Sequence, residues 1–265
     1  MEAAPVVIAR VEGAVGVLEL HRPDKFNCLS PQSHAEIQAG LAAFERDAAV
    51  RAVLVCSTGR HFCTGADLDA VHAARALPGG LEQLLAEGHV TVDRLEASPL
   101  PVVVAVQGLC LAGGLELMLG ADVAFAAEGA QFGDQHAAYG LVPGWGGSQR
   151  LPRIVGLRRA MDLFYTARRL DAATACAWGL VNHVVPAADL RQAALDYAQA
   201  LAPRSASGLA AMKRLASEGL EQPLPDGLAL ERRLAGAAIG GADVAEGLQA
   251  FAERRAPRFA PRSVD

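Results

Sequence analysis

The sequence predicts an α/β protein followed by an all-helical C-terminal region. Three observations carry that prediction. Apolar runs of strand length alternate with segments of helical periodicity, one of those runs (residues 102–106) is apolar throughout as in a strand buried on both faces, and strand-like runs stop after about Pro186.

The elements follow in order. Residues 6–11 and 15–20 are apolar runs joined by Glu12-Gly13-Ala14, the pattern of a β-hairpin. Ser30 can cap a helix whose first turn accepts Pro31 and whose apolar stripe is Ile37, Leu41 and Phe44, ending near Arg46. A short buried strand at 52–56 leads through a Gly- and Ser-containing loop, 57–60, towards a helical pattern at 81–95. Ser98-Pro99-Leu100-Pro101 stops that helix before strand 102–106. Gly113-Gly114 then opens a helix to about Leu119, and residues 123–126 form the next strand. Three amphipathic helices fit the remainder, at 189–201, 205–218 and 228–255, the last broken near Gly240-Gly241. The division is thus a core over residues 1–187 and a helical region over 188–265.

Composition excludes several functions. With 265 residues, 52% hydrophobic and 20% charged, the chain is globular, and at 5% aromatic content its core is built from Ala, Leu and Val. A net charge of −5 offers no broad cationic surface, so nucleic acid is not an expected partner. No stretch reaches the roughly 18 consecutive apolar residues of a membrane span. Glu2 stands where a signal peptide carries positive charge, which makes a cytoplasmic location the expectation. The five cysteines, Cys28, Cys56, Cys63, Cys110 and Cys176, contain no C-x-x-C pair. Neither a disulfide framework nor a metal site is expected, and all five read as buried small hydrophobes.

Two glycine-containing loops stand out, at residues 59–68 and 108–116, each after an apolar strand and before a helical pattern. Glycine lets backbone approach a ligand closely, and N–H groups at a helix start lack internal partners. Side by side, two such loops can aim two donors at one oxygen, forming an oxyanion hole. Glu116 lies three residues after Gly113, on the same helix face, where its carboxylate would sit close to an oxygen bound by the Gly113 N–H. An acidic residue in a first turn is also favoured simply by the helix dipole.

These motifs resemble the enoyl-CoA hydratase/isomerase, or crotonase, family over nearly the whole chain. Leu20, Arg22, Pro23 and Asn27 match its L-x-R-P-x-x-x-N; Phe62, Gly65, Ala66, Asp67 and Leu68 match F-x-x-G-A-D-L; and residues 105–116 approximate A-x-x-G-x-x-x-G-G-x-E. Phe132-Gly133, the block 140–151 and Phe251 to Arg255 resemble its F-G, G-x-x-P-x-x-G-G-x-x-x-L and F-x-E-K-R segments. The resemblance implies a spiral of ββα units with C-terminal helices that assemble a trimer or a pair of trimers. It further implies an acyl-CoA thioester as ligand, with coenzyme A part of the substrate and no separate cofactor. Carried over, the oxyanion donors are the backbone N–H groups of Ala66 and Gly113. Lys25, Phe26, Asp67 and Leu68 lie beside the CoA moiety, with Gly65, Gly114 and Trp145 as further substrate-binding positions.

Glu116 holds the first of the hydratases' two glutamate positions, and the second is His136. Imidazole can take up and return a proton near neutral pH, so His136 is a candidate partner for Glu116, although a lone histidine is often structural. Asp134 reaches the pocket only if its segment is extended. Trp145 replaces a small residue, and either narrows the acyl pocket or packs on the helix that begins at Gly147. Leu77, Leu81, Leu84 and Leu85 fall in the segment where the family's acyl pocket varies. Arg158-Arg159 and Arg168-Arg169 read as solvated faces, and Arg254, Arg255 and Arg258 as the better phosphate candidates. Hydration of a 2-enoyl-CoA is the expected reaction; double-bond isomerisation and acyl-CoA binding without turnover are the alternatives.

Overall fold

The computed structural model describes residues 4–263. Strands β1 (Val7–Glu12) and β2 (Val15–Leu20) form the expected hairpin, with Glu12 opposite Val15 across a Gly13-Ala14 turn. Helix α1 (Pro31–Arg46) starts at Ser30 in a reciprocal cap, Ser30 Oγ accepting from Ser33 N and Ser33 Oγ from Ser30 N. Strand β3 (Ala52–Ser57) then pairs parallel with β2.

Helices α2 (Leu68–Arg75) and α3 (Gly80–Ala97) follow, then β4 (Val102–Val106) and β5 (Leu109–Leu111). Helix α4 (Gly113–Leu119) leads to β6 (Val123–Ala127) and β7 (Gln131–Gly133), and a short 3-10 turn, His136–Tyr139, precedes α5 (Gly147–Val155). Next come α6 (Leu157–Thr166), β8 (Leu170–Asp171), α7 (Ala172–Ala177) and β9 (His183–Val185). The last helices are α8 (Leu190–Leu201), α9 (Ala206–Leu220), α10 (Leu224–Ile239) and α11 (Ala242–Glu253).

The main sheet runs β1-β2-β3-β4-β6-β9, parallel except for the first pair, and a smaller sheet runs β5-β7-β8. Side chains alternate between two cores. Leu18, Leu20, Val53, Val55, Val102 and Val104 meet Ile37, Leu41, Leu95, Leu115 and Met118 on one face. Val15, Val17, Ala52, Leu54, Val103 and Ala105 meet Leu190, Ala194, Leu195 and Ala198 on the other. Burial on both faces is why these strands carry no polar alternation. It also shows that α8 belongs to the packing of the sheet.

Several expectations are corrected. Four helices, not three, form the C-terminal region, because Gly240-Gly241 ends one helix and starts another. The third begins at Leu224 rather than 228, since Pro225 occupies a first-turn position where no N–H is required. Strands β5, β7, β8 and β9, of two or three residues each, were too short to read as apolar runs. Of the cysteines, Cys56, Cys63 and Cys110 are buried but Cys28 is half-buried and Cys176 exposed, because α7 turns Ala172 and Ala175 inward instead. No described helix is long and apolar enough to cross a membrane.

Lys213 ties α9 to the core: its Nζ lies 2.9 Å from Asp122 Oδ2 and donates to Leu95 O and Leu100 O. Asp122 in turn accepts from Val102 N at 2.7 Å. Replacing Lys213 by Ala leaves the partly accessible Asp122 carboxylate without its cation and two carbonyls without a donor. The expected loss is about 2 kcal/mol, read as a melting temperature lower by roughly 5 °C.

Candidate active site

Because β3 and β4 are parallel neighbours, the loops leaving their C-terminal ends lie side by side. Backbone hydrogen bonds bind them together: Cys63 N donates to Leu109 O (3.1 Å) and Leu111 N to Cys63 O (3.0 Å). From the other side, Leu29 N donates to Gly65 O and Asp67 N to Leu29 O, both at 2.8 Å. The approach is close. A Cβ on Gly65, which has φ +110°, would lie 3.2 Å from Gly113 N, and one on Gly114 would lie 2.3 Å from Cys63 O. Between them Ala112 holds a positive φ of 48°, a strained conformation for a residue with a side chain. Its N–H donates to Gly133 O at 2.9 Å, which ties the loop to the end of β7. Among the described residues, the N–H groups of Ala66 and Gly113 have no hydrogen-bond acceptor.

Helix α4 is buried along its whole length, so Glu116 carries its carboxylate into the interior at 2% exposure. Its Oε1 accepts from Trp145 N (2.7 Å) and Gly147 N (2.8 Å) at the start of α5. Its other oxygen, Oε2, lies 3.8 Å from His136 Nε2. Burial pushes the Glu116 carboxyl above the usual carboxylate range, against the two backbone donors and His136, which draw it down.

His136 is oriented from behind. Its Nδ1 lies 3.0 Å from the buried Asp134 Oδ2, and its backbone N donates to Asp134 Oδ1. A carboxylate there fixes the proton on Nδ1 and leaves Nε2 towards Glu116. Burial alone would lower the imidazole, but the Asp134 hydrogen bond and charge, with Glu116 beyond, raise it above its ordinary value. Gln135, in the left-handed region at φ 62°, donates its side chain to Ala167 O and so anchors this turn to the end of α6.

Comparison with known proteins places this geometry. A family model described as enoyl-CoA hydratase/isomerase matches residues 10–262. The chain belongs to the enoyl-CoA hydratase/isomerase family. A "Probable enoyl-CoA hydratase" of Mycobacterium tuberculosis is 36% identical over 97% of this chain and 98% of its own length. The 1,2-epoxyphenylacetyl-CoA isomerase of Escherichia coli is 35% identical over 96% and 97%. Crystal structures of enoyl-CoA hydratases from Geobacillus kaustophilus (37% identical, TM-score 0.90, 97% and 98% covered) and Bacillus anthracis (33%, 0.92, 97% and 100%) share the crotonase fold.

The remaining predicted positions of this enzyme divide into those near the loops and those engaged elsewhere. Lys25 is exposed and pairs with Asp69 at 3.0 Å; Phe26 is exposed and meets His61 edge to face; Leu68 is exposed at the start of α2. Asp67 is buried, capping α2 through Asp69 N and pairing with Arg22 Nη2 at 2.8 Å. Trp145 is buried with its ring against Gly88 and Gly113. Leu84 is core, whereas Leu77, Leu81 and Leu85 are exposed. Arg255 is occupied by Glu246 and Glu253, and Arg159 and Arg168 each lie over the Trp178 ring. No group of three or more His, Cys, Asp or Glu side chains gathers as metal ligands do among the described residues.

Sequence reading brought Asp134 to the pocket only through an extended segment; the structure instead buries it behind His136, 3.0 Å from Nδ1. In His136→Ala the Glu116 carboxyl is expected to titrate at higher pH than in wild type, since the imidazolium that draws it down is gone. Carbon NMR of labelled glutamate checks this, and an unmoved titration would show that the two groups do not face each other.

Proposed function

We propose that this enzyme adds water across the C2=C3 bond of a 2-enoyl-CoA thioester. The observation that carries the reading is the pairing of two acceptor-free N–H groups, at Ala66 and Gly113, with a buried carboxylate whose free oxygen faces His136. The thioester carbonyl oxygen accepts from both N–H groups. As the water oxygen bonds to C3, the C2=C3 electron pair moves towards that carbonyl, and each donor stabilises the enolate by about 3 kcal/mol.

Glu116 Oε2 and His136 Nε2 are spaced to share one water. Glu116 takes the water proton as hydroxide adds to C3, and the His136 imidazolium gives its Nε2 proton to C2. Transfer of the proton from Glu116 to His136 restores the resting state. The imidazole thus does the work of the hydratases' second carboxylate, with Asp134 holding its orientation and charge. Lys25, Phe26 and Leu68, exposed beside the loops, and Gly65 and Gly114, whose lack of side chains permits the backbone approach, border the thioester. Coenzyme A enters as part of the substrate. Exposed Met212, Leu220, Ile239, Leu248 and Phe251 on the last helices support assembly as a trimer or pair of trimers.

Isomerisation is the second reading, favoured by the 35% identity to the Escherichia coli isomerase and by a site whose single carboxylate can shuttle a proton between two carbons. Glu116→Gln is expected to lower kcat for crotonyl-CoA about a thousandfold and His136→Ala about a hundredfold. Equal hydration by wild type and Glu116→Gln would sink the assignment. Deuterium incorporation from a 3-enoyl-CoA without hydration would select isomerisation.

The pH dependence has a defined sign. Activity needs Glu116 ionised and His136 protonated, so kcat/KM is bell-shaped. Its alkaline limb belongs to His136 and lies above the ordinary histidine range. In Asp134→Asn that limb is expected to move to lower pH, because the carboxylate that stabilises the imidazolium is gone. A pH–rate profile with an unmoved alkaline limb would remove His136 from the reaction.

A further inference from the structure

One large side chain beside this site serves no step of hydration. The Trp145 indole is 4% exposed and fills a slot walled by two glycines. A Cβ on Gly113 would come 2.2 Å from Trp145 Cζ3, and one on Gly88 would come 2.0 Å from Trp145 Nε1. The ring therefore spans from the Gly113 loop to the middle of α3, and a side chain at either wall would displace it. His34 closes the slot, its ring meeting the indole edge to face at 4.8 Å while Nδ1 lies 3.0 Å from Thr91 Oγ1.

This seat is not the one that stability alone favours. Trp145 Nε1 and His34 Nε2 are both buried without a hydrogen-bond partner, a penalty that Phe in the same slot would relieve at the indole position. What the indole gains is position. Its own backbone N–H holds Glu116 Oε1 at 2.7 Å, and its ring lies against the Gly113 backbone. Under the hydration reading, Glu116 and Gly113 define where C1 to C3 of the acyl group sit. Carbons beyond C3 that continue inwards run onto the indole.

We propose that the Trp145 indole is the floor of the acyl pocket and restricts the enzyme to short acyl thioesters, crotonyl-sized rather than decenoyl-sized. The proposal rests on the hydration reading for the placement of C2 and C3. The competing path runs outwards past Leu85 and Val142, which are exposed. A long chain lying there would never meet the indole.

The test compares kcat/KM for crotonyl-CoA and trans-2-decenoyl-CoA in wild type, Trp145→Ala and Trp145→Phe, with butyryl-CoA and decanoyl-CoA affinities by calorimetry. Wild type is expected to favour the short thioester about a hundredfold, and Trp145→Ala to reduce that ratio at least about tenfold by gaining on the long one. Trp145→Phe, which keeps most of the wedge and removes the unpartnered N–H, is expected to shift the ratio less and to keep the melting temperature. Equal wild-type preference for both chains, or an unchanged ratio in Trp145→Ala, would overturn the proposal. Should Trp145→Ala not fold, Trp145→Phe decides by a smaller shift in the same direction, and no shift overturns it. If no form hydrates any enoyl thioester, the hydration reading falls, and the calorimetric ratio of the two saturated thioesters still decides where the pocket ends.

Discussion

A carboxylate enclosed by protein must be held by donors or it takes up a proton, and the Glu116 carboxylate organises everything around it. Two backbone N–H groups at the start of α5 hold one oxygen, so the Trp145-Gly146-Gly147 turn is fixed relative to α4. Gly147 can supply its donor only because it has no side chain, since a Cβ would lie 2.9 Å from Glu116 Cγ. With Oε1 saturated, the second oxygen is the one free to exchange a proton. It faces the half-buried His136, which the buried Asp134 backs.

The sheet supplies the frame for that arrangement. Parallel neighbours β3 and β4 send their following loops out on one edge, where ligands of α/β proteins characteristically bind. Their close approach depends on backbone meeting backbone at Gly65 and Gly114, and it costs a strained φ at Ala112. The hydrogen bond from Ala112 N to Gly133 O then carries the same frame to Asp134 and His136, so both halves of the site are referenced to one short segment. Burial of the sheet on both faces, by α1, α3 and α4 on one side and α8 on the other, keeps that frame rigid.

Replacing a carboxylate by an imidazole at His136 changes the charge of the site, and Asp134 restores it. With the imidazole neutral, Glu116, Asp134 and His136 carry the net charge of two carboxylates, and protonation of His136 makes the site one charge less negative. Under the proposed hydration, Asp134 supplies a second carboxylate one position removed from the reacting atoms while His136 carries the proton.

Local signals in the sequence determined much of this protein. The Ser30 cap, the hairpin, the apolar strand 102–106 and the spacing of Gly113 and Glu116 depend on neighbours within a few residues, so their physics is written in the chain order. The family motifs likewise marked both glycine loops and the positions of Glu116 and His136. Tertiary structure alone decided the rest. Strands as short as β8 exist only because a distant partner offers hydrogen bonds, and no run of two residues announces that. Where the Trp145 ring packs turned on two glycines, Gly88 and Gly113, brought together by the packing of α3 against α4. Burial removed water as a partner for Asp134 and left His136 in its place, which no local pattern announces.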